Sequence, residues 1–509
     1  MRQAIYTATV FVTSGAALVL EIVAGRLIAP YVGMSLYTWT AIIAVILAGL
    51  SAGHWIGGRL ASDGVDPKVM QGRIAGALAL SALFSLLSLV LLRVISANLL
   101  KAGLNPVASI VLLTGLLFFM PSLFVGVVSP VATKLALDDR PHETGQVLGR
   151  MFAVGAMGSI FGTLAAGYLL ISWIGSTGTV VAVAVIYAVL GAGFAYWART
   201  HAAWAAGGLA AFAALFWWGT SAKALTSPCM VESDYFCIRM DDFSRESGRP
   251  SRLMVLDHLV HSINDRDEPG ILYSPYVHFV DEYAALRFRP LQPVNAFFIG
   301  GGGYTLPRAW AKNYPGGSLI VAEIDPAVTQ VARSDMWLKP WDRQLTILHQ
   351  DARRALRDLP ADKRFDVVFG DAFHDITVPP HLVTREFHGE IKRRLTPEGF
   401  YVVNAVDLGR DPKFLFSLVK TLRLDFKAVE VWKVLDEIDE TGRVTFIVVA
   451  TDKALPRDKI TSAFGLVRDW VRWPVDDLSA RSSRIDLPVL TDDFAPIDRL
   501  MSDLLLTPE

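Results

Sequence analysis

"NAFFIGGGGYTLPRAW", residues 295–310, decides how the second half of this chain folds. An apolar, strand-like run ends in four consecutive glycines, Gly300–Gly303, and passes into a helical pattern. Glycine in a row is costly in backbone entropy. It is kept where the chain needs positive φ or where something must lie against bare backbone. Downstream, "SLIVAEI", "LTILHQ", "FDVVFG" and "GFYVVNAV" read as strands, and "PAVTQVARS", "ARRALRDL" and "TREFHGEIKRRL" as helices between them. That alternation predicts a Rossmann-like, doubly wound α/β sheet with mostly parallel strands.

Ligands of such sheets bind beyond the carboxyl ends of the strands. The sequence places an acid or a glycine at each of those ends: Gly300–Gly303, then Glu323 and Asp325 in "VAEIDP", Asp351 in "HQDA" and Asp371 in "FGDAF". Glu323 lies 23 residues past Gly300, the distance at which an acid reaches ribose hydroxyls. Each acid alone could be a helix cap; the ordered set points to a nucleoside site. The loop is not G-x-G-x-x-G, since Tyr304 follows the glycines, and three later acids would repel a pyrophosphate. They suit a cation, and a sulfonium nucleoside, S-adenosylmethionine or its decarboxylated form, fits best.

The first half is a different material. The chain has 509 residues, 52% of them hydrophobic, and a mean hydropathy of +0.39, above the range of soluble domains. Residues 1–222 hold 11 Lys+Arg and 6 Asp+Glu, and the rest hold 37 and 43. Seven apolar stretches, near 5–30, 37–58, 74–97, 107–131, 152–174, 178–197 and 202–220, approach the ~20 residues that span a bilayer. The expected organisation is a membrane domain of about seven helices over 1–222, a small β-hairpin lead-in over 223–292 ("YFCIRMDD", "SRLMVLD", "HLVHSIN"), and the α/β domain over 293–509. Net charge near zero gives no basic footprint for nucleic acid. The histidines, His258, His278 and His374 among them, are scattered and predict no metal site.

Within the spans, Gly49, Gly53 and Gly57, and again Gly158 and Gly162, are spaced for close helix packing. Glu21 is an ionisable group at membrane depth, with His54 as a candidate partner. It marks either an interhelix hydrogen bond or a polar pathway. Arg26 is expected to snorkel to the interface, and Pro121 and Pro130 to kink the fourth span.

In "ESDYFCIRM", "LMVLDHLVHS", "IGGGGYT", "VAEIDP", "QDARRAL", "FDVVFGDAF" and "LVTREFHGEIKRRLTPEGFYVVN", residues 230–450 resemble the polyamine aminopropyltransferases, the spermidine synthase family, whose domain is of the S-adenosylmethionine-dependent methyltransferase type. The first half resembles the membrane domain of that family's membrane-fused branch. The resemblance implies a multi-pass protein of the bacterial inner membrane and a homodimer. Its co-substrate would be decarboxylated S-adenosylmethionine and its acceptor a polyamine. No permanently bound cofactor is implied, and methylthioadenosine would be released. It implies Asp371 as general base, Tyr235 as an amine-orienting group, Gly300–Gly303 and Glu323 around the ribose, Asp351 with Ala352 beside adenine, and Asp325 and His261 in the donor site. Three departures stand out. The loop lacks the acid of G-G-G-D-G-G, His261 replaces a glutamine, and Pro275 replaces the glutamate of "YxE". Without the loop acid, S-adenosylmethionine itself becomes admissible, and cleavage or methyl transfer becomes an alternative. A transporter or sensor that only binds such ligands is a third reading.

Arg59, Lys68, Arg73, Lys134, Arg140, Arg150 and Arg199 follow the even-numbered spans, which predicts a cytoplasmic amino terminus. Cys229 and Cys237, the chain's two cysteines, are near enough to bridge or else are two small apolar residues. The side on which the α/β domain lies stays open at this point, because it depends on whether the last span crosses.

Overall fold

The computed structural model describes residues 2–100, 104–199, 203–339, 344–373, 377–435, 442–482 and 485–506; His374 lies outside them. The chain divides into two compact units, residues 1–234 and 235–509.

The first unit is helical throughout: α1 (Arg2–Val32), α2 (Leu36–Leu60), α3 (Pro67–Leu100), α4 (Pro106–Asp138), α5 (Thr144–Ala165), α6 (Ile171–Ala198) and α7 (Ala203–Ser221). Five segments are long and apolar enough to cross a membrane, namely Arg2–Val32, Leu36–Leu60, Pro67–Ser96, Pro106–Asp138 and Thr144–Ala198. The last of them contains α5, a π-helical turn over Ala166–Leu170 and α6, with a break at Gly175 (φ 70°). The shorter α7, diluted by Gly and Trp, is not among the five.

The spaced glycines pack helices. A methyl group at Gly49, Gly53 or Gly57 would overlap the carbonyls of Phe119, Leu123 and Val127 on α4. At Gly158 or Gly162 it would meet those of Phe11 and Gly15 on α1. Bare backbone at these positions lets the helix axes come close. α4 runs as one helix through Pro121 and Pro130, and Ser81 Oγ donates to the Pro121 carbonyl at 2.9 Å. The expected partnership of Glu21 and His54 is not formed among the described residues: no ion pair joins them, and His54 lies on the exposed face of α2. Arg26 donates to the Ser233 carbonyl. Both cysteines are disulfide-bonded.

The second unit opens with an antiparallel meander, β1 (Cys237–Asp242), β2 (Ser251–Leu256) and β3 (Leu259–Asp265), followed by α8 (Pro275–Arg287). The main sheet then begins. Its central strands are β4 (Ala296–Ile299), β5 (Leu319–Ala322), β6 (Leu345–Leu348), β7 (Phe365–Gly370) and β8 (Leu395–Leu408), alternating with α9 (Thr305–Asn313), α10 (Pro326–Asp335), α11 (Ala352–Asp358) and α12 (Arg385–Arg394). β4 lies between β5 and β7, and all pairings from β6 through β5, β4 and β7 to β8 are parallel. β4 and β5 are buried at every residue, as helices on both faces of a parallel sheet require.

After α13 (Lys413–Leu422) come β9 (Ala428–Val434), β10 (Arg443–Thr451), β11 (Lys459–Thr461) and β12 (Asp469–Arg472). They extend the sheet antiparallel beyond β8 in the order β10, β9, β12, β11. The parallel half answers the expectation, and the antiparallel extension adds four strands to it. Successive strands are added on one side of β4 as far as β6 and on its other side from β7 onward, and a crevice opens between β4 and β7 at the strands' carboxyl ends.

Candidate active site

That crevice is a cleft with about 950 Å³ of space, part of it open to solvent. Its wall collects residues from every expected strand end: Gly300, Gly301 and Gly302 after β4, Glu323 after β5, Asp351 and Ala352 after β6, and Asp371 after β7. Tyr235 and His261 join from the meander. The structure therefore gathers most of the residues singled out in the sequence.

The glycine loop is held from below by a carboxylate. Glu323 Oε2 accepts from the N–H of Gly301 at 2.7 Å and of Gly302 at 3.3 Å; its Oε1 accepts from Asp325 N at 2.9 Å. Burial raises its pKa and these donors oppose the rise. Gly300 takes φ 95°, and a side chain there would strike the Asp371 carbonyl at 2.7 Å. Glycine is needed because β4 and β7 converge at that point.

Two expected ligands face elsewhere. Asp325 is the N-cap of α10, accepting from Ala327 N at 2.9 Å, and is not part of the cleft wall. Gly303 is also outside the wall. Its N–H donates to Ser262 Oγ at 2.7 Å, its carbonyl accepts from Asn264 Nδ2 at 2.7 Å, and any Cβ would sit 2.7 Å from Ser262 Cβ and Met336 Cε. An acid cannot be accommodated there. Tyr304, which follows the glycines, is fully buried under the loop. Its ring lies where a Gly301 side chain would be, and its hydroxyl meets Thr329 Oγ1 at 2.6 Å.

Asp371 is strongly perturbed. Loss of hydration pushes its pKa up to about 7, against hydrogen bonds with Asn404 and Tyr276 that pull it down. Asn404 Nδ2 donates to Asp371 Oδ1 at 2.9 Å. Asn404 is almost entirely buried, and its Oδ1 has no partner among the described residues. A carboxyl poised near neutrality and facing a cleft is equipped to take a proton. His261 is pushed down to about 4 by burial, so its ring is neutral at physiological pH.

At the other end of the cleft, Asp351 caps α11 by accepting from Arg354 N at 3.0 Å. Its Oδ2 lies 2.7 Å from His381 Nε2, the contact that chiefly lowers its pKa. Ile324, Ala352, Pro379 and Leu382 line an apolar slot beside this pair, a chemistry that suits an aromatic base. Sequence reasoning missed His381, Asn404 and Tyr276. Asn404 follows the same rule as the acids, a polar group near the end of a parallel strand, and was legible there. His381 comes from a short turn between β7 and α12 and Tyr276 from the first turn of α8, and neither place carries such a signal.

Turnover that depends on Asp371 as base is expected to rise with pH through about 7, since only the ionised form accepts a proton. Tyr276→Phe removes a hydrogen bond that favours that form, so the inflection is expected to move to higher pH by on the order of one unit. A pH–rate profile of the two proteins side by side checks both the sign and the size.

No family model matches the chain. Over 134 residues it is 34% identical to a polyamine aminopropyltransferase of Vibrio vulnificus, covering 26% of this chain and 44% of that protein. Over 331 residues it is 25% identical to polyamine aminopropyltransferase 2 of Streptomyces coelicolor, covering 59% and 56%. The chain thus spans about half the length of the curated relatives it matches. Among solved structures, a probable spermidine synthase from Corynebacterium glutamicum aligns with a TM-score of 0.45 at 20% identity, over 53% of this chain and 99% of that one.

Proposed function

We propose that this chain, a spermidine synthase-like protein, is a membrane-anchored transferase of alkyl groups, moving aminopropyl from decarboxylated S-adenosylmethionine to an amine such as putrescine. The observation that carries the reading is Asp371, a carboxyl held near neutrality in the same cleft as Glu323 and Asp351. Glu323 and the glycine loop would seat the ribose, and the slot beside Asp351 and His381 the adenine. The sulfonium carbon would then face Asp371. The neutral amine nitrogen attacks the carbon next to sulfur; a C–N bond forms as the C–S bond breaks. The bonding pair goes to sulfur, which leaves as the thioether of methylthioadenosine. The proton lost by the amine passes to Asp371. A cation in the cleft would itself lower the Asp371 pKa and favour the basic form. Tyr235, 41% exposed at the cleft wall, would orient the amine. The protein is expected to work as a homodimer in the bacterial inner membrane.

One observation favours a second reading. Gly303 stands where an acid would hold the ammonium of the aminopropyl tail, and Ser262 and Met336 leave no room for one. A tail carrying a carboxylate would meet no repulsion there, so S-adenosylmethionine itself is admissible, with cleavage or methyl transfer as the outcome.

Full-length protein in detergent, incubated with each donor with and without putrescine, separates the readings. Aminopropyl transfer predicts methylthioadenosine from the decarboxylated donor only when amine is present, in equal amounts with spermidine. Equal release without amine, or turnover of S-adenosylmethionine alone, rejects it in favour of the second reading. Binding without turnover of either donor rejects both.

A further inference from the structure

The helical unit records within itself the end of the bundle from which the chain departs. Three contacts fix the segment 223–234. Arg26, near the carboxyl end of α1, donates to the Ser233 carbonyl. Arg93, late in α3, donates to the carbonyls of Lys223 (3.1 Å) and Thr226. At the Gly175 break that opens α6, Ser176 N donates to Glu232 Oε2 at 2.7 Å. All three sites belong to one end of the bundle, where α1 and α3 finish and α6 begins.

α7 reaches that end by crossing. A Cβ on Gly76 would lie 4.0 Å from Trp204 Cβ, and one on Gly208 would lie 3.0 Å from Ala79 Cβ. Arg93 meets Lys223, just past the end of α7. Contacts at 76 with 204, 79 with 208 and 93 with 223 advance together, so α3 and α7 run side by side in the same direction. From Gly76 to Arg93 a helix rises about 26 Å, close to the ~30 Å of a hydrocarbon core. A helix lying along the interface could not keep this register with a spanning neighbour.

Most of the cations among the described residues of this unit lie at the opposite end; Arg26, Arg93 and Lys223 do not. Arg59 is in the last turn of α2, Lys68 and Arg73 are in the first turns of α3, Lys134 is late in α4, Arg150 is early in α5, Arg140 is in the turn between those helices, and Arg199 follows α6. Cytoplasmic loops carry such an excess. At the near end, Arg26 and Arg93 are engaged by backbone carbonyls. Cys229, in the departing segment, is disulfide-bonded, a state that persists in oxidising compartments.

We propose that the segment 223–234, and the chain that continues from it, lies on the extracytoplasmic side of the membrane. Combined with the function proposed above, on which this consequence alone rests, a translocation step must supply the sulfonium donor from the cytosol where it is made. The aminopropylated product would then form outside.

Sidedness is tested without substrate, so its failure is distinct from failure of the catalytic reading. In a bacterial host, the full chain is fused after Glu509 to alkaline phosphatase, active only outside the cytoplasm, or to green fluorescent protein, which folds only inside. The phosphatase fusion is expected to be active and the fluorescent fusion dark, with the reverse for reporters inserted after Gly64. As a second measurement, trypsin added to right-side-out spheroplasts is expected to digest the unfused chain beyond residue 234. A bright carboxyl-terminal fluorescent fusion, or digestion only after lysis, overturns the proposal.

Discussion

Asp371→Asn is expected to lower turnover by about 10²- to 10⁴-fold, the range general base catalysis contributes, while affinity for methylthioadenosine stays within a few fold. The two side chains have the same shape. An asparagine oxygen still accepts from Asn404 Nδ2, now 2.9 Å from Asp371 Oδ1, so β7 and β4 keep their approach. What disappears is the capacity to take a proton from the attacking amine. Folding is not expected to suffer, because a carboxyl raised to about 7 by lost hydration is a group the fold holds against solvation. The measurement pairs single-turnover product formation with calorimetry of methylthioadenosine. Turnover within tenfold of the parent would move the proton to another acceptor; loss of nucleoside affinity would make Asp371 a binding group.

The reason this residue could be found in the sequence is topological. β4 and β5 are buried at every residue and β7 from Val367 onward, and they read as short apolar runs, so their ends are sharp. In a parallel sheet those ends all point into one crevice, and an acid immediately after such a run has few other places to go. Glu323, Asp351 and Asp371 were legible on that ground, with the glycine loop as the marker of register.

The rule does not distinguish a ligand from a cap one residue further on. Asp325 follows β5 as Glu323 does, yet Pro326 starts a helix directly after it, and its carboxylate turns to Ala327 N. The place of Tyr304 was hidden for a related reason. Its left-handed backbone (φ 56°) rotates the ring under the loop, and nothing in an aromatic after four glycines announces positive φ. The four antiparallel strands beyond β8 were not foreseen, since strand-type patterning alone carries no pairing direction. His381 was out of reach because it meets Asp351 across thirty residues, from a short turn beyond α11 and β7 that no strand end marks.

Glu323→Gln, set against Asp325→Asn, tests that division between ligand and cap. Glu323 is nearly buried and serves three N–H donors through both oxygens. Glutamine presents one oxygen and one NH₂, so whichever way it turns, donor faces donor on one side. A buried donor left unsatisfied costs about 1–3 kcal/mol, which should lower the melting temperature by several degrees. The glycine loop is expected to lose its anchor and the ribose its acceptor. Two hydrogen bonds to a charged group, each about 1.5 kcal/mol, correspond to roughly a 10²-fold loss of nucleoside affinity. Asparagine at 325 still accepts from Ala327 N and ranks with aspartate as an N-cap, so Asp325→Asn should bind and melt as the parent does. The comparison is decisive in its ratio. If Asp325→Asn weakens methylthioadenosine binding as much as Glu323→Gln, the acid after β5 that serves the ligand has been misassigned. If both bind normally, the glycine loop does not hold a nucleoside, and the base at Asp371 acts on some other cation.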